Sequence, residues 1–251
     1  ALLGTDAVRN LAGSMRAGLF EHMRRAIPDF DKATDLVLVD LGYSGSVQKG
    51  LRRAMKAAGI RTKLHGLYLL SKDDCLETED GDSMLGFIDD LTISPETKLT
   101  LLSNIAVLEQ LCSASEGSVR SYKNGTPIRE PDVRDAQQIE LGRQVQAGAI
   151  HFAEQVTSFR KAGLDPFTAN RTRAAWAATL LARLLLLPTD DEIMLLGNAR
   201  HDVNLGTQMV VPLADQTRAS DWLVAWTFSE AAGMPAPPMW PAGSFSAVSP
   251  I

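Results

Sequence analysis

The sequence predicts an α/β protein with a parallel-sheet core in its first part and a largely helical second part. Two short apolar runs, 36–39 and 64–70, flank one helix-like segment, which is the order of a βαβ unit. Apolar stripes at helical spacing dominate from residue 131 onward. The composition, with 45% hydrophobic and 22% charged residues among 251, is that of a globular protein with a sizeable core.

The first half of the chain alternates predicted helices and strands, each marked by its apolar period and by the residues that end it. They are a helix over 5–27, a strand over 36–39, a helix over 47–58 and a strand over 63–71. We expect the strand at 36–39 to be buried on both faces because all four residues are apolar. The acidic stretch 72–92 is predicted to be a loop.

The second half begins with a predicted helix over 98–112 and a short strand over 118–122 before an Asn124-Gly125 turn. Two long helices follow. The first carries one apolar stripe that we expect to pack inward, formed by Ile139, Val145, Ala149, Phe152, Val156 and Phe159. The second covers 174–187, and Thr189 with Glu192 then forms the pattern of a capping box.

These segments divide the chain into three predicted regions. Residues 1–130 form an α/β core that contains a glycine turn, and residues 131–232 form a helical part. Residues 233–251 contain four prolines in the stretch 235–241 and predict an extended arm on the surface.

The turn after the first strand is the best candidate for a ligand site. Gly42 and Gly45 allow backbone N–H groups to gather at the positive end of the following helix, and Ser44 and Ser46 add hydroxyl groups. Asp40 ends the strand, where open α/β sheets bind ligands, and its carboxylate can accept from ribose hydroxyls. The predicted phosphate or nucleotide contacts are Asp40, Gly42, Tyr43, Ser44, Gly45, Ser46 and Gln48.

Other interpretations of this turn stay open. The glycines are also explained by a tight turn with Ser46 as a helix cap. The order of strand, turn and helix resembles the phosphoribosyltransferase loop, although Leu41 replaces its second acid. Asp-x-Gly-x-x-Gly resembles the methyltransferase pattern that approaches S-adenosylmethionine. Gly42-Tyr43-Ser44-Gly45 resembles a nucleophile elbow, for which His65, His151 or His201 is the available base.

Four ordered patterns resemble one bacterial family. They are Val39-Asp40-Leu41-Gly42-Tyr43-Ser44-Gly45-Ser46-Val47-Gln48, His65-Gly66-Leu67-Tyr68, the segment Glu109 to Ser118, and Val145 to Phe152. They are similar to the C-terminal region of multidomain proteins in surface-polysaccharide gene clusters, whose other domain is a haloacid-dehalogenase-like hydrolase. The resemblance implies a role in surface-glycan biosynthesis. It implies no phosphatase activity, because it does not extend to the hydrolase domain.

The fold class implied by these features is Rossmann-like or phosphoribosyltransferase-like. The leading functional prediction is a nucleotide-sugar or phosphosugar binding domain. A non-catalytic assembly module and an S-adenosylmethionine-dependent methyltransferase are the alternatives. Asp40, Glu109 and Glu116 are the candidate catalytic residues, although Glu116 stands where the resembling family often has histidine. No metal-ligand spacing is present, and Mg²⁺ is expected only together with a phosphorylated ligand.

Charge and hydropathy limit the expected partners. A net charge of −5 argues against nucleic acid binding, and the basic residues Arg52, Arg53, Lys56, Arg61 and Lys63 are predicted to form a solvated helix flank. The apolar runs are too short for a membrane span, so a cytoplasmic location is predicted. The chain begins at Ala1, which suggests a fragment, and only two clear strands are readable. We therefore expect another chain or an upstream segment to complete the sheet at Val37–Val39.

Overall fold

The computed structural model describes residues 5–42, 44–71, 81–164, 169–202, 210–215 and 239–248. Within these ranges the chain is a mixed α/β protein that contains a three-stranded parallel sheet. It divides into two compact units. Unit 1 comprises residues 1–87 and 116–132, and unit 2 comprises residues 88–115 and 133–251. Residues 88–115, which the sequence groups with the α/β core, therefore lie in the helical unit.

Unit 1 begins with helix α1 (Thr5–Ala26), strand β1 (Asp35–Asp40), helix α2 (Ser46–Ala57) and strand β2 (Lys63–Leu70). This confirms the βαβ unit. β1 and β2 pair in parallel, from Asp35 opposite Lys63 to Asp40 opposite Tyr68. Gly59 follows α2 with φ +72°, the left-handed conformation that favours glycine just beyond a helix end.

The stretch 72–92 is not all loop, and that part of the prediction is wrong. Strand β3 (Ser83–Ile88) joins the sheet beside β2, in the order β1-β2-β3. Its start lies near the start of β2, because His65 Nδ1 is 2.7 Å from Ser83 Oγ. The alternation of apolar and polar residues that marks a strand is weak in β3, because one of its covered positions is occupied by Gly86, which has no side chain. Gly86 packs against Ser71. Residues 72–80 lie outside the described part.

Strands β4 (Val119–Lys123) and β5 (Thr126–Arg129) complete unit 1 as an antiparallel hairpin. The sequence predicts β4 and the Asn124-Gly125 turn but not β5. Both turn residues have positive φ, 49° and 66°, which is the requirement of a type I′ turn. α1 packs on this hairpin so closely that a Cβ on Gly18 would lie 2.3 Å from Tyr122 Cβ. The core of unit 1 is built from Phe20, Phe30, Met55 and Leu64.

Unit 2 is mainly helical. The predicted single helix at 98–112 is two helices, α3 (Pro95–Leu102) and α4 (Ile105–Cys112), which are separated at Ser103-Asn104. Then come α5 (Ala136–Lys161), α6 (Asn170–Leu186) and α7 (Asp190–Leu196), where Thr189 and Glu192 form the predicted capping box. Strands β6 (Arg200–Asp202) and β7 (Val210–Pro212) pair antiparallel.

Helix α8 (Pro241–Val248) lies in the region predicted as an extended arm, so that prediction is wrong for these residues. Trp240, just before α8, is fully buried and donates its indole N–H to Leu185 O at 2.9 Å. The rest of the proline-rich stretch, 233–238, lies outside the described residues.

Two expectations about burial are also wrong. Val37 and Val39 of β1 are exposed, so this strand is not buried on both faces. The stripe on α5 is not a core element either, since no residue of α5 is buried and Phe152 is 54% exposed. In both places the apolar pattern predicts the element correctly, while its cover is not among the described residues.

Candidate functional site

The turn after β1 lies at the carboxyl end of the parallel sheet. Asp40 is the last residue of β1, and the Gly42 N–H donates to Asp40 Oδ1 at 3.0 Å. Such a bond from a side chain to the backbone two residues on is a common way for aspartate to shape a turn. One oxygen of the Asp40 carboxylate is thereby occupied. Asp40 is half-buried at the carboxyl end of β1.

Gly45 forms the start of α2, where its conformation favours glycine. It is the N-cap residue with φ +64°, and a Cβ there would displace the end of the Met84 side chain, whose Cε would lie 2.4 Å away. The N-cap makes no side-chain hydrogen bond, and the first turn of α2 contains no acidic residue. Gly45 therefore provides no side-chain cap for the first-turn amides of α2, and exposed Ser46 and half-buried Ser44 lie beside them. Tyr43 lies outside the described residues.

Gln48 lies beneath the turn and is buried. Its Nε2 donates to Leu64 O at 3.1 Å and to Ser83 O at 3.0 Å, while its Oε1 accepts the Tyr68 hydroxyl at 2.9 Å. These bonds tie α2 to β2 and β3. The geometry therefore gives Gln48 a supporting role, and the prediction that it contacts a ligand stays a prediction.

The Gly66-x-Tyr68 pattern on β2 is explained by Gln48. A Cβ on Gly66 would lie 2.1 Å from Gln48 Oε1, so only glycine leaves room for the amide. Tyr68 is buried, and its burial together with the negative charge of Asp40 raises the pKa of the Tyr68 hydroxyl. Tyr68 is therefore protonated at neutral pH and serves as the donor to Gln48.

A buried ion pair anchors the middle of α2. Arg52 donates from Nε to Asp82 Oδ2 at 2.7 Å and from Nη2 to Thr62 O at 2.9 Å. The Leu64 N–H donates to Asp82 Oδ1 at 2.9 Å. The prediction that Arg52 belongs to a solvated basic flank is wrong, because its side chain is 9% exposed. Arg53, Lys56, Arg61 and Lys63 are exposed, as that prediction states.

The three candidate catalytic carboxylates do not share one compact unit. Asp40 and Glu116 lie in unit 1, and Glu109 lies in unit 2. Glu116 is exposed and forms an ion pair with Arg129, with Oε2 and Nε 2.8 Å apart. In unit 2, Glu109 Oε2 lies 3.7 Å from His201 Nε2, which is too long for a hydrogen bond.

A chain of amides orients the His201 ring. Gln138 accepts from the Arg200 N–H at 2.9 Å and donates to Arg200 O at 3.0 Å, which fixes its amide orientation. Gln138 Nε2 also donates to Gln110 Oε1 at 2.6 Å, so Gln110 Nε2 is the donor to His201 Nδ1 at 2.7 Å. The ring proton is therefore assigned to Nε2, on the side of Glu109. Sequence spacing gives no sign of this relay.

A row of polar side chains also crosses the amino end of the sheet. Asp35 Oδ1 lies 2.8 Å from His65 Nε2, and His65 Nδ1 lies 2.7 Å from Ser83 Oγ. The order aspartate, histidine, serine matches the proton relay of serine hydrolases. However, Ser83 lies at the start of a regular strand rather than on a sharp turn, and the Asp35 side chain is half exposed. We assign this row to cross-strand stabilisation.

The acidic pair Asp89-Asp90 makes its contacts within the fold. Asp89 Oδ1 accepts from the Thr92 hydroxyl at 2.8 Å, and Asp90 forms an ion pair with buried Lys98. Among the described residues, no group of three or more His, Cys, Asp or Glu side chains is arranged to hold a metal ion. No helix in the part of the chain that the structure describes is long and apolar enough to cross a membrane.

Comparison of the sequence with protein-family models and with curated proteins found no match. The surface-polysaccharide family therefore stays a prediction from the four patterns. Three residues of those patterns have a structural reason to occur together, since Gln48 and Tyr68 are hydrogen-bonded beneath the turn and Gly66 leaves room for the Gln48 amide.

Proposed function

We propose that unit 1 binds a phosphorylated ligand of the nucleotide-sugar or phosphosugar class at the turn Asp40–Ser46. The observation that carries the proposal is the start of α2. Its N-cap, Gly45, provides no side-chain cap, its first turn contains no acidic residue, and it begins at the carboxyl end of a parallel sheet. Both features favour an anion at this position.

The residues around the turn would divide the work of binding. The amides from Ser44 to Ser46 and the two serine hydroxyls would donate to phosphate oxygens. Asp40 has one carboxylate oxygen bonded to the Gly42 N–H, and its other oxygen would accept a ribose hydroxyl or bind Mg²⁺ that accompanies the phosphate. Gln48 and Tyr68 would hold the turn in place from beneath.

The role in bacterial surface-glycan biosynthesis rests on the sequence resemblance. The chemistry supports binding more directly than catalysis, because Glu109 belongs to the other compact unit and Glu116 is paired with Arg129. Proposed partners are therefore phosphorylated sugars or nucleotides.

The test places a carboxylate at the start of α2. Ser46→Glu should preserve the fold, since Ser46 is exposed and an acid favours a helix N-terminus, while its charge repels a bound phosphate. Ala57→Glu is the matched control with the same charge change, about 16 Å away along the same helix. Thermal melting against nucleotide sugars, sugar phosphates and phosphoribosyl ligands, with and without Mg²⁺, gives the readout.

We expect a ligand at about one hundred times its Kd to stabilise the wild type and Ala57→Glu by about 2.7 kcal/mol and Ser46→Glu far less. Equal stabilisation of all three proteins would place the ligand elsewhere, and a panel without any shift for the wild type would reject the proposal. Gly45→Val is a poor test. It would force a β-branched residue to positive φ and against Met84, so lost binding would not be separable from lost structure.

A non-catalytic assembly module is the second candidate. It is favoured by the face of the sheet that carries exposed Val37, Val39, Leu67, Leu85 and Phe87, and by β1, which pairs only with β2 among the described strands. This function predicts assembly without any ligand. The methyltransferase alternative predicts a melting shift with S-adenosylmethionine in the same panel.

A further inference from the structure

The imidazole ring of His201 is a buried titratable group that the phosphate site of unit 1 does not use. The residue is 8% exposed and lies on the short strand β6 of unit 2. Its Nδ1 accepts from Gln110, whereas the described residues give its Nε2 no hydrogen bond, since Glu109 Oε2 is 3.7 Å away. The hydrogen bond on one nitrogen of a histidine determines how the other nitrogen meets a ligand.

The chain of amides behind the ring determines the chemistry of Nε2. Gln138 is fixed on the backbone of Arg200 and donates to Gln110, so Gln110 meets His201 as a donor. Nε2 therefore carries the ring proton and is itself a hydrogen-bond donor. A ring nitrogen does not bind a metal ion while it keeps its proton, so the ring in this state favours a ligand with an acceptor atom.

Glu109 provides an acceptor beside this donor. Its side chain is 47% exposed and that of His201 is 11% exposed, so a ligand reaches the pair from the side of Glu109. The negative charge of the carboxylate disfavours an anion at this position. An oxygen atom about 2.8 Å from both Glu109 Oε2 and His201 Nε2 fits the geometry, because the gap of 3.7 Å is shorter than two such hydrogen bonds together.

We propose that Glu109 and His201 form a second binding site, in unit 2, for a hydroxyl group of an uncharged sugar or other polyol. A hydroxyl is the smallest group whose single oxygen both accepts and donates a hydrogen bond. Its oxygen accepts from the Nε2–H group of His201, and its proton is donated to Oε2 of Glu109. The bond to the carboxylate is charge-assisted and contributes the larger part of the affinity.

This site is separable from the structural role of the amides. The bonds of Gln110 and Gln138 tie β6 to α4 and α5, and the Glu109 side chain takes no part in them. Removal of the Glu109 carboxylate therefore leaves the orientation of the ring intact and takes away only the acceptor of the proposed site.

NMR of the full chain with ¹⁵N-labelled histidine rings tests the proposal. The His201 signals are identified among those of the four histidines by their loss in His201→Gln. At mildly alkaline pH the wild-type ring should carry its proton on Nε2. Titration with uncharged methyl glycosides and with glycerol should shift the His201 signals, whereas inorganic phosphate should not.

Glu109→Ala should raise the Kd of a methyl glycoside at least tenfold, because one hydrogen bond to a charged group is lost. Glu154→Ala is the matched control, since Glu154 is an exposed glutamate on α5 of the same unit, and it should leave the Kd unchanged. Both variants should melt at the wild-type temperature.

Gln138→Glu tests the orientation of the ring. The new carboxylate accepts from the Arg200 N–H but has no proton to donate to Gln110. The Gln110 amide should therefore turn its oxygen toward His201, and the ring proton should move from Nε2 to Nδ1. The Kd of the glycoside should rise, because Nε2 no longer donates.

Several results would overturn the proposal. They are a wild-type ring with its proton on Nδ1, His201 signals that no glycoside or glycerol shifts, and an equal Kd for the wild type and Glu109→Ala. A shift with N-methylacetamide but with no polyol would assign the pair to an amide ligand and overturn the hydroxyl site. Ser46→Glu should leave glycoside binding unchanged, so this result is independent of the phosphate site in unit 1.

Discussion

The two faces of the β1-β2-β3 sheet are equally apolar in sequence but very different in structure. On the face covered by α2, Leu64 and Leu70 have no exposed surface. On the opposite face, Val39 is 83% exposed and Leu85 is 63% exposed. Successive side chains of a strand point to opposite faces, so each strand contributes to both surfaces.

The covered face also buries polar side chains. Gln48 and Arg52 are buried there, and each has hydrogen bonds to backbone carbonyls as well as to a side chain. The open face holds most of its apolar residues without such a network. Burial in this protein therefore follows from what packs against a surface and not from the hydropathy of the surface itself. Four predictions test this contrast, from the largest expected effect to the smallest.

Arg52→Ala should lower the free energy of unfolding by about 3–5 kcal/mol, the usual cost of leaving one partner of a buried ion pair uncompensated. Asp82 would keep a side chain that is 4% exposed and lose its cation. Urea denaturation gives the measurement. The exposed neighbour Arg53→Ala serves as the control and should change stability by less than about 0.5 kcal/mol. Similar effects of both substitutions would contradict the buried pair.

Leu64→Ala and Leu67→Ala compare the two faces within one strand. Leu64 is fully buried, so its truncation should cost about 2–5 kcal/mol. Leu67 is 42% exposed on the open face, and its truncation should cost less than about 1 kcal/mol in the monomer. A large effect at Leu67 in dilute, monomeric protein would mean that part of the same chain covers this face.

Gln48→Ala should cost about 1–3 kcal/mol, because it leaves the Leu64 and Ser83 carbonyls and the Tyr68 hydroxyl without their present partner. Val47→Ala, at the adjacent exposed position, is the matched control and should change stability by less than about 0.5 kcal/mol. If Gln48→Ala removes ligand binding but leaves the melting temperature unchanged, the residue contacts the ligand and its structural role is wrong.

The smallest effect concerns pH at Asp35, on the open face. Hydrogen bonds from the Thr34 hydroxyl and from His65 hold the pKa of Asp35 below its ordinary value. The folded-state pKa is thus lower than the unfolded one. Its stabilising contribution is present above the unfolded value and is lost as pH falls through the folded pKa. Thr34→Val should raise the pKa of Asp35 in an NMR titration, and an unchanged titration would contradict the Thr34 contact.

Much of the fold is readable from local signals. Gly45 and Gly59 mark the ends of α2, Asn124-Gly125 marks the hairpin, and Thr189 with Glu192 marks the start of α7. Each signal works because a backbone conformation or a cap is determined by residues within about four positions. The sequence does not predict β3, because the acidic residues before it suggest a loop and Gly86 weakens its alternation of apolar and polar residues.

The candidate site, like the fold, is predictable from the sequence only in part. The sequence locates the turn at Asp40–Ser46, and Gly45 has the left-handed conformation that such a turn needs. It does not distinguish Gln48, which supports the turn from beneath, from residues that would face a ligand. The pairing of Glu109 with His201 is equally invisible, because the two residues are far apart in the chain and no motif spacing connects them.

The sequence by itself thus determined the type and order of the elements that begin with strong local signals, including the βαβ unit and the long helices of unit 2. Only the tertiary structure decided which apolar faces are buried, which polar residues are buried with them and which carboxylates meet a partner. The physical reason is that periodicity and caps are set by residues a few positions apart. Burial depends on contacts between distant residues, such as Arg52 and Asp82, which are 30 positions apart.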